Sequence, residues 1–164
     1  WSSSSLNTYL NGTYLTSLGT LAEKIATTTW KVGGNTSTNI AYSVPATAYQ
    51  YEVGSSASST TIDKKIGLMY LSDYGFAADQ SSWTTKLNSY SSNKSKNWLY
   101  LSYNEWTVSP YFGSATSVVY VSGSGDVSGI TATHNYAVRP SFNLLSSVKY
   151  VSGSGSMSDP VRVN

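Results

Sequence analysis

The chain has 164 residues, 40% hydrophobic and 13% aromatic, which supplies apolar material for one sizeable core and argues against a disordered chain. Only 11% of the residues are charged, against about 25% in an average domain, and serine fills about a fifth of the sequence, so solubility rests on hydroxyls and amides. The net charge is +2 with ten scattered Lys and Arg, densest at Lys94 and Lys96, and there is no cysteine; this excludes a clustered basic face for nucleic acid, a disulfide framework, a thiolate zinc site and a Cys nucleophile.

Hydroxyl-based solubility suits secreted and cell-surface proteins, so an extracellular location is expected. No apolar run approaches the roughly 20 residues of a spanning helix, and direct membrane insertion by this segment is not expected. The sequence starts at Trp1 inside what reads as a structured motif, which suggests a processed piece of a longer protein.

In chain order, Ser2 to Ser5 offer N-cap hydroxyls, Leu6, Tyr9 and Leu10 follow at helical spacing, and Asn11-Gly12 predicts a C-cap. Leu15, Leu18, Leu21, Ala22 and Ile25 share one face and predict a second helix of about 13 residues. It breaks at the β-rich Thr27 to Trp30 and the Gly33-Gly34 turn. Both helices read as covers for a core. Residues 54–62 predict a polar loop and Ile66 to Leu71 a buried strand. Asp73 to Thr85 reads as loop or short helix anchored by Phe76 and Trp83, and Ser89 to Asn97 as an exposed polar loop.

From Trp98 the pattern turns to β. Strands are expected at Trp98 to Leu101, at Trp106 to Val108 with a stop at Ser109-Pro110, at Val118 to Val121, and at Ala137 to Phe142. Val118 to Val121 returns through Ser122 to Gly125 into Asp126-Val127 as a hairpin. The segment Val118 to Gly125 recurs as Val148 to Gly155, read as a second hairpin and not a solenoid, which needs three or more repeats. Helices first and a meandering sheet afterwards make one α+β domain over residues 1–164. Trp98, Trp106, Val108, Val119, Val121, Val138 and Phe142 are the expected core.

Catalytic constellations are sparse. His134 is the sole histidine and reads as a loop residue, since a triad needs an orienting carboxylate and an activated serine and no G-x-S-x-G elbow is present. The eight acidic residues form no close pair, and glycosidase chemistry would require Glu105 and Asp126 to meet in space. A hydrolase would need Glu105, Asp126 and His134 to converge. Asp73, Asp79 and Asp126 lack the spacing of a calcium loop, so no metal and no cofactor is expected.

What stands out is Tyr100, Tyr103, Trp106, Tyr111, Phe112, Tyr120 and Tyr136 set among Ser, Thr, Gly and Asn, the composition of a paratope. The loops Ser109 to Thr116 and Ser128 to Asn135 can meet across the sheet between them. Tyr111 and Phe112 read equally as core or contact surface, and the polar residues Ser114 to Ser117 and Gly129 to Asn135 equally as solvated loop or binding face.

Trp106-Thr107-Val108-Ser109-Pro110, about thirty residues, then Ala137-Val138-Arg139-Pro140-Ser141-Phe142-Asn143-Leu144 resembles a bacterial surface-protein pattern, W-x-x-S-P followed by G-V-R-P-x-x-N-L. Trp1 to Tyr14 resembles its opening, W-x-x-S-x-L-x-x-Y-L-N. The modules occur in surface proteins of Gram-positive gut bacteria and resemble the C-type-lectin-like fold of formylglycine-generating enzymes and of the variable proteins of diversity-generating retroelements. The resemblance implies that fold here and places ligand recognition between Tyr103 and Asn135. The candidate contacts are Tyr103, Glu105, Tyr111, Phe112, Ser114, Thr116, Asp126, Ile130, Thr131, Thr133, His134 and Asn135. Arg139 is expected to tie the last strand to a carboxylate or carbonyl inside the fold.

The implied role is a non-enzymatic, adhesin-like module for a protein or glycan on another cell, host or phage. Some relatives carry a pilin-type N-terminal helix, so the other expectation is a head domain of a pilin-type filament, its Tyr-rich face over residues 103–135 packed against filament neighbours. Ala137 replaces the family glycine. The paired cysteines of formylglycine-generating enzymes and the E-P-N, Q-P-D and W-N-D triplets of calcium-dependent lectins are absent, so neither oxidation nor calcium-mediated sugar binding is implied.

Overall fold

A computed structural model describes residues 1–34, 37–156 and 158–164 and gives an α+β fold. The Ser4 hydroxyl caps the first helix, accepting from the Asn7 N–H at 3.1 Å and donating to the Trp1 carbonyl at 3.0 Å. The helix does not stop at Asn11-Gly12. It runs as α1 (Ser5–Tyr9), widens into a π-helix (Leu10–Tyr14) and finishes as α2 (Leu15–Ser17). Asn11 ends helices when its amide competes for local backbone, but here the amide is taken by a distant partner. Its Nδ2 donates to the Ile66 carbonyl at 2.8 Å and its Oδ1 accepts from the Ile66 N–H at 3.0 Å. The expected long second helix is interrupted instead at Gly19, whose φ of +56° suits a helix end, and resumes as the short α3 (Leu21–Lys24).

Next, β1 (Thr28–Lys31) pairs antiparallel with β2 (Thr61–Lys64), so Thr61 and Ile62 belong to a strand and not to the preceding loop. A 3₁₀ turn (Ile40–Tyr42) and α4 (Pro45–Glu52), with Pro45 in its first turn, lie between them. The predicted strand at Ile66 to Leu71 narrows to β3 (Gly67–Leu68), because Leu71 already opens α5 (Leu71–Phe76). Phe76 and Trp83 do anchor the segment after α5, edge to face at 5.0 Å. A short 3₁₀ turn (Gln80–Ser82) comes next, and Ser89 to Asn97 falls mostly within a 3₁₀ stretch (Leu87–Lys96). Its Tyr90 is fully buried, donating to the carbonyls of Gly75 and Ser82 at 3.0 and 3.2 Å.

Trp98 to Leu101 is not a strand. The buried Asn97 side chain donates to the Tyr74 carbonyl at 2.8 Å and accepts from the Leu99 N–H at 2.9 Å, a local turn that sends Leu99 inward and leaves Trp98 77% exposed. β4 (Glu105–Pro110), β5 (Ser117–Val121) and β6 (Val127–Thr131) form an antiparallel meander in that order. Ala137 to Phe142 reduces to β7 (Pro140–Ser141), paired with β3, plus a bridge from Ala137 to Glu105. The repeat does give a second hairpin, β8 (Tyr150–Ser152) with β9 (Arg162–Val163).

The meander divides the core. Val119 and Val121 point with Val127 into a layer built on α4, α5, Tyr74 and Tyr90, whereas Val118, Tyr120 and Ile130 face a second layer with Leu10, Trp30, Leu68, Trp106 and Val108. That alternation is the period of two of a sheet covered on both faces. Trp106, Val108, Val119 and Val121 are core as expected; Val138 and Phe142 flank the two-residue β7 and stay 37% exposed.

Inside the first layer sits a carboxylate that the sequence does not announce. Glu52, 6% exposed, accepts from the backbone N–H of Leu71 and Ser72 at 2.9 and 2.8 Å and from the Ser109 hydroxyl, linking the end of α4 to the start of α5 and to β4. Burial pushes its carboxyl above the usual carboxylate range, against the pull of these donors.

Substitution tests both ties. Asn11→Ala removes both bonds to Ile66 and leaves buried peptide groups unpaired, an expected loss of about 2–3 kcal/mol in urea unfolding. Asn11→Asp, which sets an oxygen against the Ile66 carbonyl, loses at least as much; a loss under about 0.5 kcal/mol in both would show that the pairing does not hold the helix. For Glu52, a raised folded-state pKa means the folded chain binds the proton more tightly than the unfolded one. This contribution favours folding in acid and is lost as pH rises from the ordinary glutamate value through the folded one. Wild type is therefore expected to lose stability relative to Glu52→Gln as pH rises above the ordinary glutamate value of about 4.3. Parallel pH profiles would place the carboxyl at its ordinary value.

Candidate ligand-binding site

Two loops leave the same end of the meander. The first, 111–116, follows Pro110 and is closed by Tyr111 N–H to the Ser117 carbonyl at 3.0 Å and Ser114 N–H to the Tyr111 carbonyl at 3.3 Å. The second, 132–136, follows β6, and its Ala132 N–H donates to the Thr116 carbonyl at 3.0 Å. The sheet thus brings the two loops side by side. Tyr111 is fixed between core and surface: it is half-buried, its hydroxyl accepts from Asn39 Nδ2 at 3.2 Å, and its ring lies so close over Gly129 that a Cβ there would overlap it.

Facing these loops is the N-terminal helix. Between them runs an open groove of about 1100 Å³, with Trp1, Ser4, Ser5, Leu6 and Tyr9 on one side, the two loops on the other, and Leu68, Trp106 and Val108 beneath. A ring cluster forms part of the wall. Trp106 and Tyr136 lie 4.7 Å apart, Tyr120 and Tyr136 5.0 Å, and the His134 ring 5.6 Å from Tyr136. Burial, and then the neighbouring Tyr136, push the Tyr120 phenol up. No Asp, Glu, Lys or Arg among the described residues lines the groove. Among the described residues no three His, Asp or Glu side chains stand close enough to share a metal ion.

Six of the candidate contacts meet here: Tyr111, Ser114, Thr116, Thr133, His134 and Asn135 all line the groove. Ile130 is half-buried in the apolar layer below, and Thr131 is exposed with its hydroxyl 3.2 Å from that of Thr133. Phe112 is half-buried in the first loop and does not line the groove. Tyr103 is elsewhere, 69% exposed on the turn that also displays Trp98 and Leu101, beside Ser102 with its φ of +60°.

Two candidates are corrected. Glu105 is 2% exposed and its oxygens accept from Arg139 Nε at 2.8 Å and Nη2 at 3.1 Å, so it is spent inside the fold. Arg139 also donates to the Leu99 carbonyl at 2.6 Å, the internal tie its sequence context predicts. Asp126 holds the β5–β6 turn, accepting from the Ser91 N–H at 2.7 Å and the Ser124 hydroxyl at 3.5 Å, outside the groove.

The sequence reading misses the opposite wall. Leu6 and Tyr9 read as parts of a helix covering a core, and nothing local shows that Tyr9, 54% exposed, faces two loops more than 100 residues away. The buried indole Nε1 of Trp1 has no hydrogen-bond partner among the described residues.

The model of a family described as a domain of unknown function, DUF6273, matches residues 1–146, from the start of the N-terminal helix to just before the β8–β9 hairpin. No curated protein and no solved structure matches the chain.

Gly129→Ala is expected to displace the Tyr111 ring, costing about 1–3 kcal/mol. It should also speed amide exchange at Tyr111 and Ser114, whose N–H groups close the first loop. Unchanged exchange with unchanged stability would mean that the loop is not held through Tyr111.

Proposed function

The chain belongs to the DUF6273 family, a domain of unknown function, and for this member we propose an extracellular, adhesin-like recognition domain that binds a protein or glycan on another cell, host or phage. The proposed fold within the α+β class is C-type-lectin-like, on the strength of the W-x-x-S-P and V-R-P-x-x-N-L segments. The observation that carries the reading is the groove. At about 1100 Å³ it is as large as the biggest small-molecule sites, and it is walled by rings and small polar residues from two loops tied through their backbones. Rigid aromatic groups give contact area with little loss of rotamer freedom, and the loop side chains between them are free to contribute selectivity.

The reading is of binding and not of catalysis. His134 stacks on Tyr136 at the groove wall, whereas Glu105 is engaged by Arg139 and Asp126 by the Ser91 N–H. A second reading, the head of a pilin-type filament, draws on a different surface: Tyr150, Val151 and Val161 of the β8–β9 hairpin are 67%, 60% and 53% exposed.

Ala115 lies exposed in the groove and tests the first reading directly. Wild type and Ala115→Trp are screened on a glycan array and on a displayed peptide library. The expected outcome is that ligands captured by wild type bind the variant at least about tenfold more weakly, roughly 1.4 kcal/mol, while Tm stays within about 2 °C. Capture that survives the substitution would move recognition away from the groove, to the Trp98 and Tyr103 turn or to the hairpin.

A further inference from the structure

We infer that the occupant of the groove is an uncharged, apolar-faced segment of a partner protein chain. The inference rests on the binding reading above and narrows it to one chemistry. Its first support is charge. Among the described residues the lining holds no Asp, Glu, Lys or Arg, and His134 and the tyrosines are its titratable side chains. A charged ligand group entering this space would give up water and meet no counter-charge from a lining side chain, whereas a neutral one gives up little.

The second support separates a peptide from a sugar. A glycan brings a hydroxyl on almost every carbon and needs fixed donors and acceptors to replace water. Two of the loop hydroxyls already have partners, Ser114 donating to Ser117 at 2.9 Å and Thr133 paired with Thr131 at 3.2 Å, which leaves fewer fixed groups to replace the water around a sugar. Among the two loops' lining side chains, Asn135 offers the one planar amide. Beneath them, Leu68, Trp106 and Val108 present apolar surface that methyl and ring groups of a protein segment can cover.

Thr116, exposed at the groove, is the place to test this, through Thr116→Asp and Thr116→Lys. A neutral occupant is weakened by a charge of either sign; a charged one is weakened by one variant and strengthened by the other. The ligands are displayed 12-residue peptides from two libraries, one without Asp, Glu, Lys or Arg, alongside neutral and anionic glycan arrays. Expected are capture from the uncharged library, affinity lowered about tenfold in both variants with Tm unchanged, and less than about a twofold change between 0.05 and 0.5 M salt.

Opposite effects of the two variants, or capture restricted to charged peptides or anionic glycans, overturn the inference and leave the groove as a binding site. Capture of neutral glycans alone overturns the peptide assignment. Self-association of the pure protein that Ala115→Trp abolishes would seat a second copy in the groove and overturn the foreign partner. If wild type captures nothing and Ala115→Trp behaves as wild type in every assay, the binding reading itself falls.

Discussion

The Asn11 side chain behaves toward residue 66 as a neighbouring strand would, offering one donor and one acceptor to the two polar groups of a single residue. The N-terminal wall of the groove depends on that pairing. It holds the N-terminal helix against the stretch leading into β3, and so sets Leu10 into the second core layer and leaves Leu6 and Tyr9 facing the distant loops. The π-helical turn at Leu10–Tyr14 is the local expression of the same constraint. Such turns are tolerated where a side chain must be aimed at a particular partner, and this one contains the residue that makes the long-range contact.

A second set of ties organises the other wall. The Arg139 guanidinium joins Glu105 at the head of β4 to the Leu99 carbonyl, and Asn143 and Leu144 join the end of the V-R-P-x-x-N-L segment to Thr28 and Ile25. A buried ion pair contributes little net stability over a well-packed apolar pair, but breaking it leaves a charge stranded, so it fixes one arrangement of the chain. The motif residues that suggest a family in the sequence are thus mainly fasteners: Ser4 caps, Asn11 pairs, Ser109 meets Glu52, and Arg139 meets Glu105. The groove-facing loop side chains lie between these motifs and take little part in the ties.

That division explains what could be read from the sequence. The alternation from Ser117 to Val121 and its return through a Gly-rich turn give the hairpin and its core residues directly, because burial on both faces of a strand obeys a period of two. The adjacency of the two loops comes from the hairpin between them. Other features depend on partners far along the chain and leave no local trace. Asn11-Gly12 has the composition of a helix stop, and only Ile66 makes it a continuation. Trp98 has the composition of core and is turned out by the hydrogen bonds of its neighbour Asn97. Glu105 looks like an available carboxylate until Arg139, 34 residues later, is placed beside it.

The low charge content of the chain and the neutrality of the groove are one property seen at two scales. A surface kept in water by hydroxyls and amides can carry a wide apolar recess without rings of Lys and Glu around it, since Ser and Thr satisfy one another at close range, as Ser114 does with Ser117. The loops themselves are fastened through main-chain groups, Ala132 to Thr116 and Tyr111 to Ser117, and by a ring resting on a glycine. None of those bonds uses the side chains at positions 116 or 135. Residues there can therefore change in size and polarity at small cost to folding, whereas Tyr111 and Gly129 cannot, because each fills space the other leaves. The architecture separates the atoms that hold the groove open from those that meet what enters it.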